Sequence, residues 1–261
     1  MFLFSFLLDV VKRLYLGYRN VKYKLLGIEL SFEQKDFLRK FFPYYAGLSP
    51  EHQKEFEERV FLFLEEKKII PRGSLQEVPL KVKLLIAATA VKVSFGFRDF
   101  RFEYFDKILV YPDSYYSAIN QRYHFGEVNP KLRIIVLSLV NFLEGVADPI
   151  SGRNLGIHEI AHALKLENQI HFNNGSVVFN PTRWKAYTEH AYAQMDKIAR
   201  GEQHTIFRAY AGTNKHEFFA VALELFFEKS AELKAYNPEL YQSLVYLLKQ
   251  DPMVLVRGDG R

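Results

Sequence analysis

One stretch constrains this chain more than any other: Asn154-Leu-Gly-Ile-His-Glu-Ile-Ala-His-Ala-Leu-Lys165. Within it, His158-Glu159-Ile160-Ala161-His162 forms the pattern H-E-x-x-H. On a helix, residues four apart lie one above the other on one face. The spacing therefore predicts a helix that aims two imidazoles at one metal ion, with Glu159 beside the first of them. That is half of a zinc hydrolase site, which has two neutral nitrogen ligands, a third ligand from elsewhere and an open position for water. Zinc lowers the pKa of such a water to about 7, and Glu159 is placed to take its proton. Leu155, Ile157, Ile160, Ala161 and Leu164 are apolar, so the helix is expected to be buried. Two histidines and a glutamate would be costly there without partners. Gly156 removes a side chain where a substrate is expected to pass.

The chain has no cysteine. Disulfides and thiolate zinc ligands are excluded, and any metal site must use His, Glu or Asp. Its 261 residues are 49% hydrophobic and 25% charged, enough to bury a full core. The 24 Phe and 16 Tyr argue against disorder. A net charge of +5 is modest, and much of it is local. Lys12, Arg13, Arg19, Lys22 and Lys24 appear with no acid between Val10 and Ile28. No nucleic-acid-binding module accompanies them, so no nucleic-acid partner is expected.

The chain divides into an apolar and basic N-terminal segment, residues 1–30, and a single domain, residues 31–261. Phe2, Leu3, Phe4, Phe6, Leu7 and Leu8 make the start apolar, but the run is too short for a bilayer span of about 20 residues. It also lacks the order of a secretory signal. Two readings remain: a helix packed on the domain, or peripheral contact with a membrane surface through residues 1–24, with the basic cluster on anionic headgroups.

Further on, Ser31 and Ser49 are expected to cap two helices, the second with Pro50 at its first position. Residues 67–72 are expected to end that second helix. Leu80 to Val93 reads as a buried helix. Lys107–Tyr111 and Arg133–Ser138 read as strands, with a turn at Val128–Lys131 between them. Val140–Ile150 reads as loop, because Gly145, Asp148 and Pro149 interrupt it. Glu167–Asn180 is polar and turn-rich. Helices are expected over Pro181–Arg200, Lys215–Lys229 and Pro238–Lys249.

A third ligand must come from outside the motif. A third histidine six residues after His162 is excluded, since that position is Asn168. Glu189, Glu202, Glu217 and Glu224 are the carboxylate candidates. Glu217 is the best placed, in the first turn of an apolar helix whose Ala220 and Ala222 allow close packing. With Asn214 as N-cap it also occupies the position of a capping-box glutamate, and spacing does not separate capping from ligation. His216 is a rival, pointing about 100° away from Glu217 on a helix.

These residues carry a resemblance. The chain resembles the MtfA-like zinc peptidases (peptidase family M90), whose catalytic core is similar to that of anthrax lethal factor. The matching stretches are Leu48-Ser-Pro-Glu-His-Gln53, Ile69-Ile-Pro71, Ile108-Leu-Val-Tyr-Pro112, Asn154–Leu164, Tyr210-Ala211, Glu217-Phe-Phe-Ala-Val221, Glu224-Leu-Phe-Phe227 and Gln250-Asp-Pro252. They cover about residues 48–252. The resemblance implies that His158, His162 and Glu217 bind one zinc ion, that Glu159 is the general base, and that Tyr210 lies at the family's tyrosine position. A tyrosine hydroxyl there would donate to the oxyanion of a tetrahedral intermediate. The family carries Lys-Leu-Asp after its second histidine, whereas this chain has Ala163-Leu164-Lys165, so a supporting carboxylate at that position is missing.

The expected architecture is α+β, a mainly helical zincin-like (gluzincin) metallopeptidase domain with a small mixed β-sheet beside the active-site helix. An edge strand, expected at Arg133–Ser138, would hold an extended peptide by strand addition. The expected function is peptide hydrolysis by a zinc-bound water activated by Glu159. The resemblance implies an aminopeptidase-like, narrow specificity; the expected location is cytoplasmic, peripheral at the inner membrane surface if residues 1–24 make the membrane contact. The resemblance also implies an alternative, a regulatory protein that sequesters a transcriptional regulator, with the zinc site secondary.

Overall fold

The structure, a computed structural model, describes residues 17, 29–98, 100–117, 121–173, 178–201 and 204–255. The stretch on which the packed-helix and membrane-surface readings rest, residues 1–24, lies outside the described residues, Gly17 aside. Among the described residues no helix is long and apolar enough to cross a membrane.

The chain is mainly helical around a small mixed sheet. Helix α1 (Phe32–Phe41) starts at Ser31, whose side chain accepts from the Gln34 N–H while Gln34 returns the bond, a complete capping box. Next come α2 (Pro43–Ala46) and α3 (Pro50–Glu66), the latter capped by Ser49. Residues after α3 do more than end it, because Lys68–Pro71 is a strand, β1. Helix α4 (Leu80–Ser94) is buried along nearly its whole length, as its apolar run predicts. Strands β2 (Lys107–Tyr111), β3 (Tyr115–Ser117), β4 (Arg122–His124), β5 (Gly126–Asn129) and β6 (Ile134–Ser138) follow.

The main sheet has the order β1-β2-β6-β5, and β3 and β4 form a separate antiparallel pair. β1, β2 and β6 run parallel, while β5 is antiparallel to β6. Ile108, Val110, Ile135 and Leu137 alternate onto the core face. The strand expected at the edge, Arg133–Ser138, is interior. The edges are β1 and β5, the latter in a stretch whose Gly, Glu and Asn carry little strand signal.

The expected loop at Val140–Ile150 is instead largely helix α5 (Leu139–Ala147), capped by Ser138. Gly145 does not break it. That glycine admits the chain at Asn154, since a Cβ on it would come within 2.9 Å of the Asn154 Cα. Helix α6 (Leu155–Asn173) carries the H-E-x-x-H residues and runs on into the stretch expected to be turn-rich, as far as Asn173. The reason is Glu167, fully buried, whose carboxylate accepts the Tyr104 N–H at 2.7 Å and the Phe105 N–H at 3.3 Å. Helices α7 (Pro181–Ala199), α8 (Lys215–Glu228), α9 (Ser230–Tyr236), α10 (Pro238–Leu248) and α11 (Pro252–Leu255) complete the described chain. Helix α6 packs against β5, β6, α4, α5 and α8, so the motif lies at the centre of the fold.

Candidate metal centre

Asn154 starts α6. Its Oδ1 accepts the Ile157 N–H at 3.0 Å, and its own carbonyl accepts the His158 N–H at 2.9 Å. Ile157, Ile160, Ala161 and Leu164 face the core, which leaves His158, Glu159 and His162 on the side towards α8 and β5. Gly156, expected from sequence to clear a substrate path, instead faces the Phe142 ring. A Cβ there would lie 2.7 Å from the Phe142 ring, so this glycine lets α5 close on α6.

Asn214 caps α8, its Oδ1 accepting the His216 and Glu217 N–H groups at 2.8 and 3.1 Å. Glu217 therefore has a capped backbone and a side chain turned to the histidines. Capping and ligation prove compatible, because they use different atoms of the same residue. Glu217 Oε2 lies 3.1 Å from His158 Nε2 and 3.5 Å from His162 Nε2, and the two Nε2 atoms are 3.1 Å apart. Ligands about 2.0–2.1 Å from a tetrahedral zinc stand about 3.3 Å from one another. The three donor atoms thus fit one ion, and among the described residues these three side chains form the group able to hold it. His216 is exposed and outside the group, Glu189 is exposed on α7, and Glu202 lies outside the described residues.

Glu224, two turns beyond Glu217, takes a different part. Only 1% exposed, it accepts from His158 Nδ1 at 2.7 Å. It also accepts from Arg208 Nη2 at 2.6 Å, Arg208 Nη1 at 3.1 Å and the Asn154 N–H at 2.7 Å. It fixes Nδ1 as the protonated nitrogen of His158 and leaves Nε2 for the cluster. Lys165 donates to the Lys215 carbonyl at 2.7 Å. Arg208 was not visible as a site residue in the sequence, and no spacing signal marks it. Glu224 was among the carboxylate candidates for the third ligand, whereas Glu228 was not singled out. Tyr210 lies in a 3-10 turn (Ala209–Gly212) with its ring centroid 6.1 Å from that of His158.

Glu159 is buried beneath the edge strand β5. A Cβ on Gly126 would come within 2.6 Å of the Glu159 Cδ, so only glycine at the head of β5 leaves room for this carboxylate. Gly126→Ala is expected to displace Glu159 while leaving the three donor side chains in place. A displacement of about 1 Å costs on the order of 100-fold in rate. Wherever catalysis depends on Glu159, turnover should fall by about that factor with metal content unchanged, and a parent-like rate would show that Glu159 has space to spare.

The protonation pattern follows from burial and charge. Burial pushes the Glu159 carboxyl up to about 8, against the attraction of His158 and with help from Glu217 and Glu224. Burial works to lower His158, but its bonds to Glu217 and Glu224 outweigh this and raise it to about 10. Burial works to raise Glu217, but His158 and His162 hold it well below the usual carboxylate range. Burial leaves His162 lowered. At pH 7 His158 therefore carries a proton that it must release to bind a cation through Nε2. Affinity should rise with pH through neutrality up to about 10, by about tenfold per unit for the proton that His158 releases. Titration calorimetry at pH 7 in buffers of different ionisation enthalpy should report at least one proton released per site, and a buffer-independent enthalpy would contradict this.

A mainly helical fold on a small mixed sheet, with such a donor set between two buried helices, belongs to the metallopeptidase class. The chain belongs to the family described as glucose-regulated metallo-peptidase M90, whose model matches residues 19–248. It is similar to Mlc titration factor A of Escherichia fergusonii, 28% identical over 82% of this chain and 85% of that protein. It is also similar to Mlc titration factor A of Klebsiella pneumoniae, 27% identical over 84% and 86%. An uncharacterized protein of Synechocystis is 27% identical over 81% of this chain and 82% of that protein.

Proposed function

We propose that the chain is a zinc-dependent, zincin-like peptidase of aminopeptidase-like, narrow specificity, with residues 31–261 as its one catalytic domain. The observation that carries this reading is the convergence of His158, His162 and Glu217 within 4.8 Å of one another, from two helices, with a buried carboxylate behind His158. Two imidazoles and a carboxylate suit zinc. A zinc ion would supply Lewis acidity towards the scissile carbonyl and a water that ionises near neutral pH.

The chain's own residues do the rest. Glu159, its carboxyl held in the ionised form by a cation in the neighbouring cluster, accepts the proton of the attacking water and passes it to the leaving amine. The Tyr210 hydroxyl donates to the carbonyl oxygen as negative charge grows there, the point at which a donor contributes most. Among the described residues the outer side of β5 pairs with no strand. An extended peptide running along that side would gain main-chain hydrogen bonds and pass over Glu159.

The test compares aminoacyl anilides that carry a free or an acetylated amino group, on zinc-reconstituted protein. Hydrolysis of the free form alone is expected, and equal cleavage of both would remove the amino-terminal preference. A second reading rests on the relatives named Mlc titration factor A: the chain binds a transcriptional regulator, and its zinc site is secondary. His158→Ala should then keep the regulator in a pull-down while losing hydrolysis.

A further inference from the structure

Lys92 takes no part in the chemistry above. It lies in the last turn of α4, where the helix end favours a cation, yet it is only 7% exposed. Its Nζ stands 5.4 Å from the Phe227 ring centroid, 5.7 Å from Tyr44 and 5.9 Å from Phe42. Among the described residues no acceptor comes within hydrogen-bonding distance of it. Glu228 acts on it only through space, with its own oxygens taken up by the Gly152 N–H at 3.0 Å and the Asn154 amide at 2.8 Å. Burial accordingly lowers Lys92 to about 8. Lys165 makes the contrast. It too is buried against two rings, but it has the Lys215 carbonyl as acceptor.

The rings around Lys92 form a built wall. The Tyr44 hydroxyl donates to Gln250 Oε1 at 2.8 Å. The Gln250 amide donates in turn to the carbonyls of Lys92 and Val93 at 3.1 and 3.3 Å. Behind them lies a cavity of about 250 Å³, bounded by the apolar Val146, Pro149 and Ile157 and by the polar Thr89, Asn154, Glu228 and Ser230. It opens to solvent beside the exposed Ile150, and the donors of its polar walls are already engaged: Thr89 donates to the Leu85 carbonyl, Ser230 to the Phe226 carbonyl, and the Asn154 amide to the Gly145 carbonyl and to Glu228. An inorganic anion would exchange its hydration shell for a single donor, a poor trade. An organic acid keeps that donor and buries its apolar body as well.

We propose that this cavity is a binding site for a small organic carboxylate. The carboxylate accepts from Lys92 Nζ, and a short aliphatic or aromatic body fills the space beside Val146, Pro149 and Phe227. The site is separate from the metal cluster and does not depend on the peptidase reading.

The test uses the full chain with benzoate and hexanoate as probes, followed by thermal shift and ligand-detected NMR. Benzamide, hexanamide and sulfate serve as controls. The two acids should raise the melting temperature and the controls should not. Lys92→Met keeps the length and the ring contacts, and should weaken benzoate binding about tenfold or more, the loss expected for a charge-assisted bond. Val146→Phe keeps the lysine, fills the cavity and should abolish binding. Equal shifts from acids and amides, unaltered binding in Lys92→Met or Val146→Phe, or no acid-dependent shift in the parent would each overturn the proposal.

Discussion

Glu159→Gln protein should bind its metal as the parent does and hydrolyse peptides about 100- to 10,000-fold more slowly, the range that one general base contributes. Glutamine has the shape of glutamate, so it fits under Gly126 without moving β5 and leaves the three cluster side chains in place. What it cannot do is accept a proton. Metal content by atomic emission and kcat on an aminoacyl anilide separate the two effects. A variant that cleaves as well as the parent would sink the mechanism.

The same substitution has a stability signature with a definite sign. A carboxyl whose folded pKa is raised, here to about 8, opposes folding at every pH above its unfolded value, increasingly up to that pKa. Glutamine removes that opposition. The metal-free variant should therefore melt above the metal-free parent at pH 7, and the difference should shrink towards pH 4.5. Such a gain in stability with a loss of chemistry is what a strained catalytic group produces.

Glu224→Gln should act on the opposite side of His158. Four donors converge on the parent carboxylate: His158 Nδ1, both terminal nitrogens of Arg208 and the Asn154 N–H. An amide has one acceptor oxygen and presents N–H groups where the other oxygen stood. Arg208 then keeps a charge without a counter-charge, and such breakage of a buried pair costs about 3–5 kcal/mol. The imidazole also loses the group that selects its tautomer, and losses of this kind weaken metal affinity about 10- to 100-fold. Urea denaturation and competition with a chelator measure the two effects. If affinity stays within about twofold of the parent, Glu224 does not hold the ligand in its working form.

Much of the centre was legible beforehand. The four-residue spacing of His158 and His162, the apolar flanks of α6 and the capped start of α8 are properties of a few neighbouring residues. Helical geometry turns each of them into a statement about one face. The boundaries of α4, α7, α8 and α10 followed from the same local rules. The errors have a common cause. Residues 139–147 form a helix despite Gly145 because Asn154 packs there, and α6 continues past Glu167 because that carboxylate satisfies two N–H groups at Tyr104 and Phe105. In both cases a partner remote in the chain overrode a local signal.

What the amino-acid order determined by itself, then, is the pair of imidazoles on one helical face, the absence of thiolate ligands and a short set of acids able to complete the cluster. Glu217 and Glu224 stand seven residues apart, nearly two full turns, so both lie on the same side of α8 and no periodicity distinguishes them. Packing alone decided that Glu217 reaches Nε2 of His158 while Glu224 reaches Nδ1, contacts spanning 59 and 66 residues of chain. Packing also made β5 an outer strand and brought Arg208 behind the site. The physical reason is range. Spacing along one element fixes direction, whereas ligation, hydrogen bonding and strand order depend on how elements far apart in the chain are set against one another.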